Sequence, residues 1–320
     1  MEACIIVTYR CNAKCHMCNT WQFPSAPAEE ITPAIVDKLP TGLKFINITG
    51  GEPFLREDLE EIVRVALTKT ERLVISSNGF YTDRMLALAK KYPNIGVRIS
   101  IEGLPTANDE LRGLKDGFDH GMRSLLGLKA LGLKDIGFGM TVSDVNAKDM
   151  IELYRLADAM GLEFATASTH NSYYFHKYDN AFNDPEMVAR EFEKISRELL
   201  KSRKLKSWFR AYFNHGMANY VRGGNRLLPC EVGTDMFFLD PYGKIMPCNG
   251  MDREMPMGDL TKQTFDDIWQ SEQAKKVRES VKHCDKNCWM IGSVAPAMKK
   301  DMLTPIKWII GQKLGANKGA

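Results

Sequence analysis

The sequence predicts an α/β fold: a partial (β/α)6 barrel of the TIM type, followed by a small C-terminal β-hairpin/helix domain. Three observations predict it. Short apolar, β-branched runs alternate with amphipathic stretches through the first half of the chain. Six such units occur, too few for a closed eight-stranded barrel. In the last third, Asp240-Pro-Tyr-Gly243 stands between two short apolar runs and marks a hairpin turn.

The strand candidates are Ala3–Thr8, Lys44–Thr49, Arg72–Ser76, Gly96–Ile101, Asp135–Val142 and Glu163–Ala167. Helix-like segments lie between them, including Glu57–Thr68, Thr82–Lys91, Gly117–Leu131 and Ala147–Met160. Near-continuous apolar strands separated by helices indicate a parallel sheet covered by helices. After Ala167 the rhythm changes. Ser168–Asn183 is rich in Tyr and His with almost no aliphatic residues, so no core element is expected there. A polar helix, Asp184–Ser202, and an aromatic-rich stretch to Tyr220 follow. The flexible Gly223-Gly224 pair places a boundary between Tyr220 and Leu227, giving a barrel over residues 1–222, a second domain over 223–295 and a tail over 296–320. In the second domain, hairpin strands Met236–Leu239 and Lys244–Met246 precede a helix over Phe265–Lys282.

A chain of 320 residues can bury a large core. The formal net charge is only +3; the segment from Lys299 onward holds five Lys against one Asp, so the remainder is near neutral. No broad basic face for nucleic acid is implied. No apolar run approaches the roughly 20 residues of a membrane span and no signal peptide precedes the first strand, so a cytoplasmic location is expected. Eight cysteines raise the question of disulfides, but they cluster at metal-ligand spacings.

Cys11, Cys15 and Cys18 form a C-x3-C-x2-C run directly after the first strand. Three thiolates can hold three irons of a cubane 4Fe–4S cluster and leave the fourth iron without a protein ligand. Zinc is the alternative, with His16 as a fourth ligand. Gly50-Gly51-Glu52-Pro53 then ends the second strand, at the end where barrel loops build active sites. Two glycines allow close backbone approach, and Glu52 with the exposed carbonyls can accept from an ammonium. In this order the motifs resemble the radical S-adenosylmethionine (radical SAM) enzymes, whose partial barrel agrees with the predicted fold.

The resemblance implies that SAM binds the open iron through its methionine part and that Gly50, Gly51, Glu52 and Pro53 hold its amino group. Ser77 and Asn78 in Ser76-Ser77-Asn78-Gly79, and Ser100 and Glu102 in Ser100-Ile-Glu-Gly103, resemble the family's ribose and carboxylate contacts. Arg112 is a candidate partner for the SAM carboxylate, with a surface ion pair as the other reading. Met17 stands where the family usually has an aromatic residue and would serve the adenine edge through its backbone. Thr141 and Val142 would flank the adenine. The reduced cluster would cleave SAM to a 5′-deoxyadenosyl radical that abstracts hydrogen from the substrate. An external one-electron reductant of the flavodoxin or ferredoxin type is implied.

The second cysteine group is Cys230, Cys248, Cys284 and Cys288. Cys230-x12-Gly243-x4-Cys248 matches the opening of the SPASM extension of many radical SAM enzymes. The full pattern has seven cysteines; four resemble the shortened twitch form and predict one auxiliary 4Fe–4S cluster. Zinc again competes, since four cysteines close a tetrahedral site. A fully ligated auxiliary cluster would transfer electrons, which favours net oxidation or coupling; redox-neutral epimerisation stays open. Cys4 is expected to pack as a small hydrophobe, with hydrogen donation to substrate as the alternative.

His170, Asn171, Tyr173 and His176 are substrate-pocket candidates in a sixteen-residue loop long enough to form a lid. The tail combines Leu303, Ile306, Trp308, Ile309, Ile310 and Leu314 with lysines, and Pro305 is expected to start a helix. It either docks on the barrel or lies on anionic lipid. The barrel begins at residue 3, without the leader-binding module of many peptide-modifying members. That tilts the expected substrate toward a small molecule, sugar or lipid-linked compound, with peptide modification as the alternative. A non-catalytic iron–sulfur or zinc carrier is the rival class, and it would need neither an open iron nor the Gly-Gly-Glu.

Overall fold

The computed structural model describes residues 1–316; the last four residues of the predicted tail lie outside the described residues. Six parallel strands, β1 (Glu2–Ile6), β2 (Phe45–Thr49), β3 (Leu73–Ser77), β4 (Gly96–Ser100), β5 (Ile136–Val142) and β6 (Glu163–Ser168), lie side by side in chain order. Helices α1 (Pro33–Asp37), α2 (Leu59–Leu67), α3 (Thr82–Lys91), α4 (Pro105–Arg112), α5 (Gly117–Ala130) and α6 (Met150–Ala159) connect them. The long pair α7 (Pro185–Lys201) and α8 (Leu205–Val221) then pack on each other.

The side-chain alternation of these strands explains why the barrel is hollow. One face projects Ile46, Ile48, Ile75, Val97, Ile99, Phe138 and Met140, all within the main apolar core. Each fully buried aliphatic side chain stabilises the fold by about 1.5–3 kcal/mol. The other face projects Asn47, Ser76, Ser100, Thr141 and Ala167, small or polar residues that line a cavity of about 400 Å³.

The C-terminal part adds three strands to the same sheet. β7 (Met236–Leu239) pairs in parallel with β1, from Glu2 opposite Met236 to Ile5 opposite Leu239. Strands β8 (Lys244–Met246) and β9 (Gly258–Asp259) continue antiparallel, so one nine-stranded sheet runs β6-β5-β4-β3-β2-β1-β7-β8-β9. The expected helix over Phe265–Lys282 is two helices, α9 (Phe265–Gln270) and α10 (Glu272–Lys282), because the Ser271 hydroxyl caps the second by accepting from Ala274 N–H. α11 (Ile291–Lys300) and α12 (Leu303–Ala316) follow. Pro305 does not start the last helix; it sits in the first turn, where its missing N–H costs nothing. No helix among the described residues is long and apolar enough to cross a membrane.

Candidate active site

The cysteine loop is anchored on both sides. Before it, the buried Glu30 carboxylate accepts from Thr8, Ser25 and Arg10, fixing the end of β1. Behind it, Lys14 N–H and His16 N–H donate to the carbonyls of Arg112 and Leu111 at 2.9 and 2.8 Å. The cysteine loop therefore rests on the C-terminus of α4. Cys11, Cys15 and Cys18 all line the cavity. Burial pushes the Cys11 thiol up to about 12 and raises that of Cys15, where the Arg112 charge opposes it. Metal loading must release these protons. His16 is exposed and does not line the cavity, so the zinc reading loses its fourth ligand. Among the described residues no three His, Cys, Asp or Glu side chains converge on a point that would clamp a single ion. A cubane spreads its thiolates over separate corners.

Gly50 and Gly51 pass close to the backbone before the cysteines. A Cβ on Gly51 would stand 2.2 Å from the Arg10 carbonyl oxygen, so only glycine fits. Glu52 and Pro53 do not line the cavity. The fully buried Glu52 carboxylate accepts from Phe54 N–H at 3.0 Å, Ser77 Oγ at 2.9 Å and Asn78 N–H at 2.8 Å. It brackets β2 to β3, while Gly50 and Gly51 border the cavity. Ser77 and Asn78 border it too, with Asn78 donating to Asn12 Oδ1 at 2.8 Å.

Arg112 forms a buried pair, not a surface one: Nη1 donates to Glu102 Oε1 at 2.7 Å. Glu102 also accepts from Thr141 N–H at 2.5 Å. Burial alone would lower the Arg112 value, but Cys15, Glu102, Cys11 and Glu52 outweigh it and keep the guanidinium charged. Its Nε is buried without a partner, and the residue lines the cavity. An unmatched charged donor beside Cys11 and Cys15 fits the carboxylate of an amino-acid ligand. Ser100, Thr141 and Met17 also line the cavity. The Met17 carbonyl already accepts from Asn180 Nδ2 at 3.2 Å. Val142 packs in the main core instead.

Of the loop candidates, His170 lines the cavity; burial lowers its pKa and Nε2 is buried without a partner. Asn171 is held by Asn180, with both hydrogen bonds at 2.9 Å. Tyr173 N–H donates to Met251 O. His176 stacks on Phe23 with ring centroids 4.2 Å apart. Those three brace the loop, while Tyr174, Phe175 and Ser168 line the cavity in their place. Tyr174 is buried in a second apolar cluster with Cys4, Met236 and Phe238, so the segment does contribute to a core. Aromatic content alone did not say which rings turn inward. Trp21 is a further missed cavity residue, with a buried indole N–H that finds no partner.

Cys230, Cys248 and Cys288 line the same cavity; Cys284 is exposed and does not. Burial pushes the Cys248 thiol up to about 12. Cys4 lines the cavity too, 3.9 Å from Asn47 Nδ2, and burial likewise pushes its thiol up to about 12.

The parallel partial barrel thus has one cavity bordered by the cysteine loop after β1, by the charged Arg112, and by Cys230 before β7 and Cys248 after β8. The chain matches the radical SAM superfamily over residues 5–157 and the SPASM iron–sulfur cluster-binding domain over residues 230–289. The chain therefore carries a radical SAM domain and a SPASM iron–sulfur domain, and these two domains imply 4Fe–4S clusters and SAM as cofactors.

Among curated relatives, it is 34% identical to the Fe-coproporphyrin III synthase of Methanosarcina barkeri over 160 residues, covering 48% of this chain and 39% of that protein. It is 25% identical to the AdoMet-dependent heme synthase of Oleidesulfovibrio alaskensis, over 88% of this chain and 77% of that one. It is 24% identical to the sporulation killing factor maturation protein SkfB of Bacillus subtilis, over 90% and 68%. Streptococcus suis SuiB bound to S-adenosylmethionine shares the fold, with a TM-score of 0.65 at 15% identity over 85% of this chain and 65% of that one.

Proposed function

We propose that the protein is a radical SAM oxidoreductase whose organic substrate sits between its two cysteine sets and loses a hydrogen atom and then an electron. The observation that supports this is the single cavity bordered by Cys11, Cys15 and Cys18 on one side and by Cys230, Cys248 and Cys288 on the other. Residues 1–222 would form the SAM-cleaving unit and 223–295 the auxiliary-cluster unit. Cys11, Cys15 and Cys18 would hold three irons of one cubane, and Cys230, Cys248, Cys284 and Cys288 all four of the other. Bound together, reduced cubane and SAM supply a 5′-deoxyadenosyl radical able to take hydrogen from an unactivated C–H bond. An external reductant of the flavodoxin or ferredoxin type would provide the initiating electron.

This chain's own residues would do the positioning. The Arg112 guanidinium, braced by Glu102, would take the SAM carboxylate. The carbonyls of Gly50 and Gly51 would take its ammonium, and Ser100 and Thr141 the nucleoside side. Met236 and Phe238 exclude water from the wall between the cysteine sets, and His170 Nε2 and Ser168 Oγ offer the substrate polar contacts.

The substrate we favour is a small molecule, sugar or lipid-linked compound, since the lining mixes small polar residues with a few large apolar ones. Peptide maturation is the second reading, favoured by the similarity to SkfB. Anaerobically reconstituted protein with SAM and dithionite should form 5′-deoxyadenosine, and Cys11→Ala should form none. Cys288→Ala should still form 5′-deoxyadenosine but lose oxidation of the substrate. Full oxidation by Cys288→Ala would remove the auxiliary role.

A further inference from the structure

Helix α12 carries large apolar residues on both of its faces, with Lys307, Gln312 and Lys313 interspersed, whereas an ordinary surface helix confines them to one stripe. Here only one side is covered. Trp308 stacks on His215 of α8 at 4.7 Å and meets Tyr212 at 5.6 Å, and Ile309 is buried. At 100° per residue, Leu303, Lys307, Ile310 and Leu314 fall on the opposite face. Leu303, Ile310 and Leu314 are 68%, 51% and 60% exposed.

The surroundings of this face are basic. The Lys313 ammonium lies 3.9 Å from the Trp208 ring centroid and donates to Leu200 O at 3.0 Å. That sets the last turns of α12 beside Lys201-Ser-Arg-Lys-Leu-Lys206, where α7 ends and α8 begins. Leu205, the first residue of α8, is 66% exposed. Arg203 and Lys204, like Lys307, form no ion pair among the described residues.

We propose that this face docks the enzyme on an anionic lipid bilayer, with Leu303, Ile310 and Leu314 in the acyl boundary and Arg203, Lys204 and Lys307 among the headgroups. An apolar stripe flanked by unpaired cations complements an anionic membrane surface. It does not complement a second copy, because a two-fold interface would set the same cations against one another. The proposal depends on no assignment of cofactor or substrate.

The full-length holoprotein is sedimented with phosphatidylcholine vesicles with and without phosphatidylglycerol, at low and high salt. Binding is expected only to the anionic vesicles, weakening with salt. The double variant Ile310→Glu/Leu314→Glu should bind at least about tenfold more weakly while keeping its iron content and 5′-deoxyadenosine formation. The second variant, Arg203→Gln/Lys204→Gln, should also lose about tenfold, and it leaves α12 intact should the first fail to fold. Absence of sedimentation, or equal sedimentation of both variants and wild type, overturns the proposal. So does light scattering that finds a wild-type dimer and a monomeric Ile310→Glu/Leu314→Glu protein, since the face would then be a self-interface.

Discussion

Arg112 has one guanidinium nitrogen on Glu102 and another, Nε, buried without a partner. That division separates two measurable roles. Replacing Glu102 with Ala leaves a buried cation unpaired, and the protein should lose about 3–5 kcal/mol of stability in urea unfolding. Arg112→Lys keeps the charge but replaces the planar fork with a point donor. The Kd for SAM should rise about tenfold, about 1.4 kcal/mol, by calorimetry of the reconstituted enzyme. An unchanged Kd would take Arg112 out of the SAM site. At this scale the sequence is informative where ligands lie close along the chain, as with Cys11, Cys15 and Cys18. It is silent where a side chain has a distant partner. Nothing local says that Glu52 bonds to Ser77 and Asn78, or that Asn180 reaches Met17.

Among the elements, α8 and the segment after α10 meet at Gly216. A Cβ there would stand 2.1 Å from the Trp289 ring, which is fully buried and donates to Phe213 O at 2.9 Å. Trp289 follows Cys288 directly, so Gly216→Ala should displace both. The expected result is a loss of more than about 2 kcal/mol and a fall in bound iron, read by unfolding and iron analysis.

The β7–β8 hairpin carries a pH-dependent cost. Asp240 accepts from Tyr242 N–H and Lys244 N–H at 2.9 and 2.8 Å, yet burial outweighs those bonds and raises its pKa from 3.8 to about 6. Between those values the native state keeps a proton that the unfolded chain has released. Stability should therefore fall as pH rises through this window, by on the order of 3 kcal/mol, and stay lower above it. Asp240→Asn retains the acceptor oxygen and should flatten that slope in urea midpoints. The turn itself was legible from Asp240-Pro-Tyr-Gly243. The attachment of β7 to β1 was not, because strand pairing between residues so far apart leaves no periodic trace.

For the whole molecule, short apolar strands alternating with amphipathic helices predicted a parallel partial barrel; the small and polar face that lines its cavity emerged only from the structure. The single cavity shared by both cysteine sets depended on β7 closing against β1 and could not be read from spacing. Two cubanes predict about eight irons per reconstituted chain and about four in Cys248→Ala, counted by iron analysis with matching loss of one spectroscopic signal. Pulsed dipolar spectroscopy on the reduced protein should return the same inter-cluster distance with and without substrate. A shift would show that the two halves move.

Four residue pairs join β1 to β7 along a shared ladder. With the proposed function, both redox centres would in that sense be mounted on one plank, and the gap an electron must tunnel would be set at folding rather than adjusted during turnover. Control over when the second centre accepts charge would then fall to whatever molecule fills the space between them.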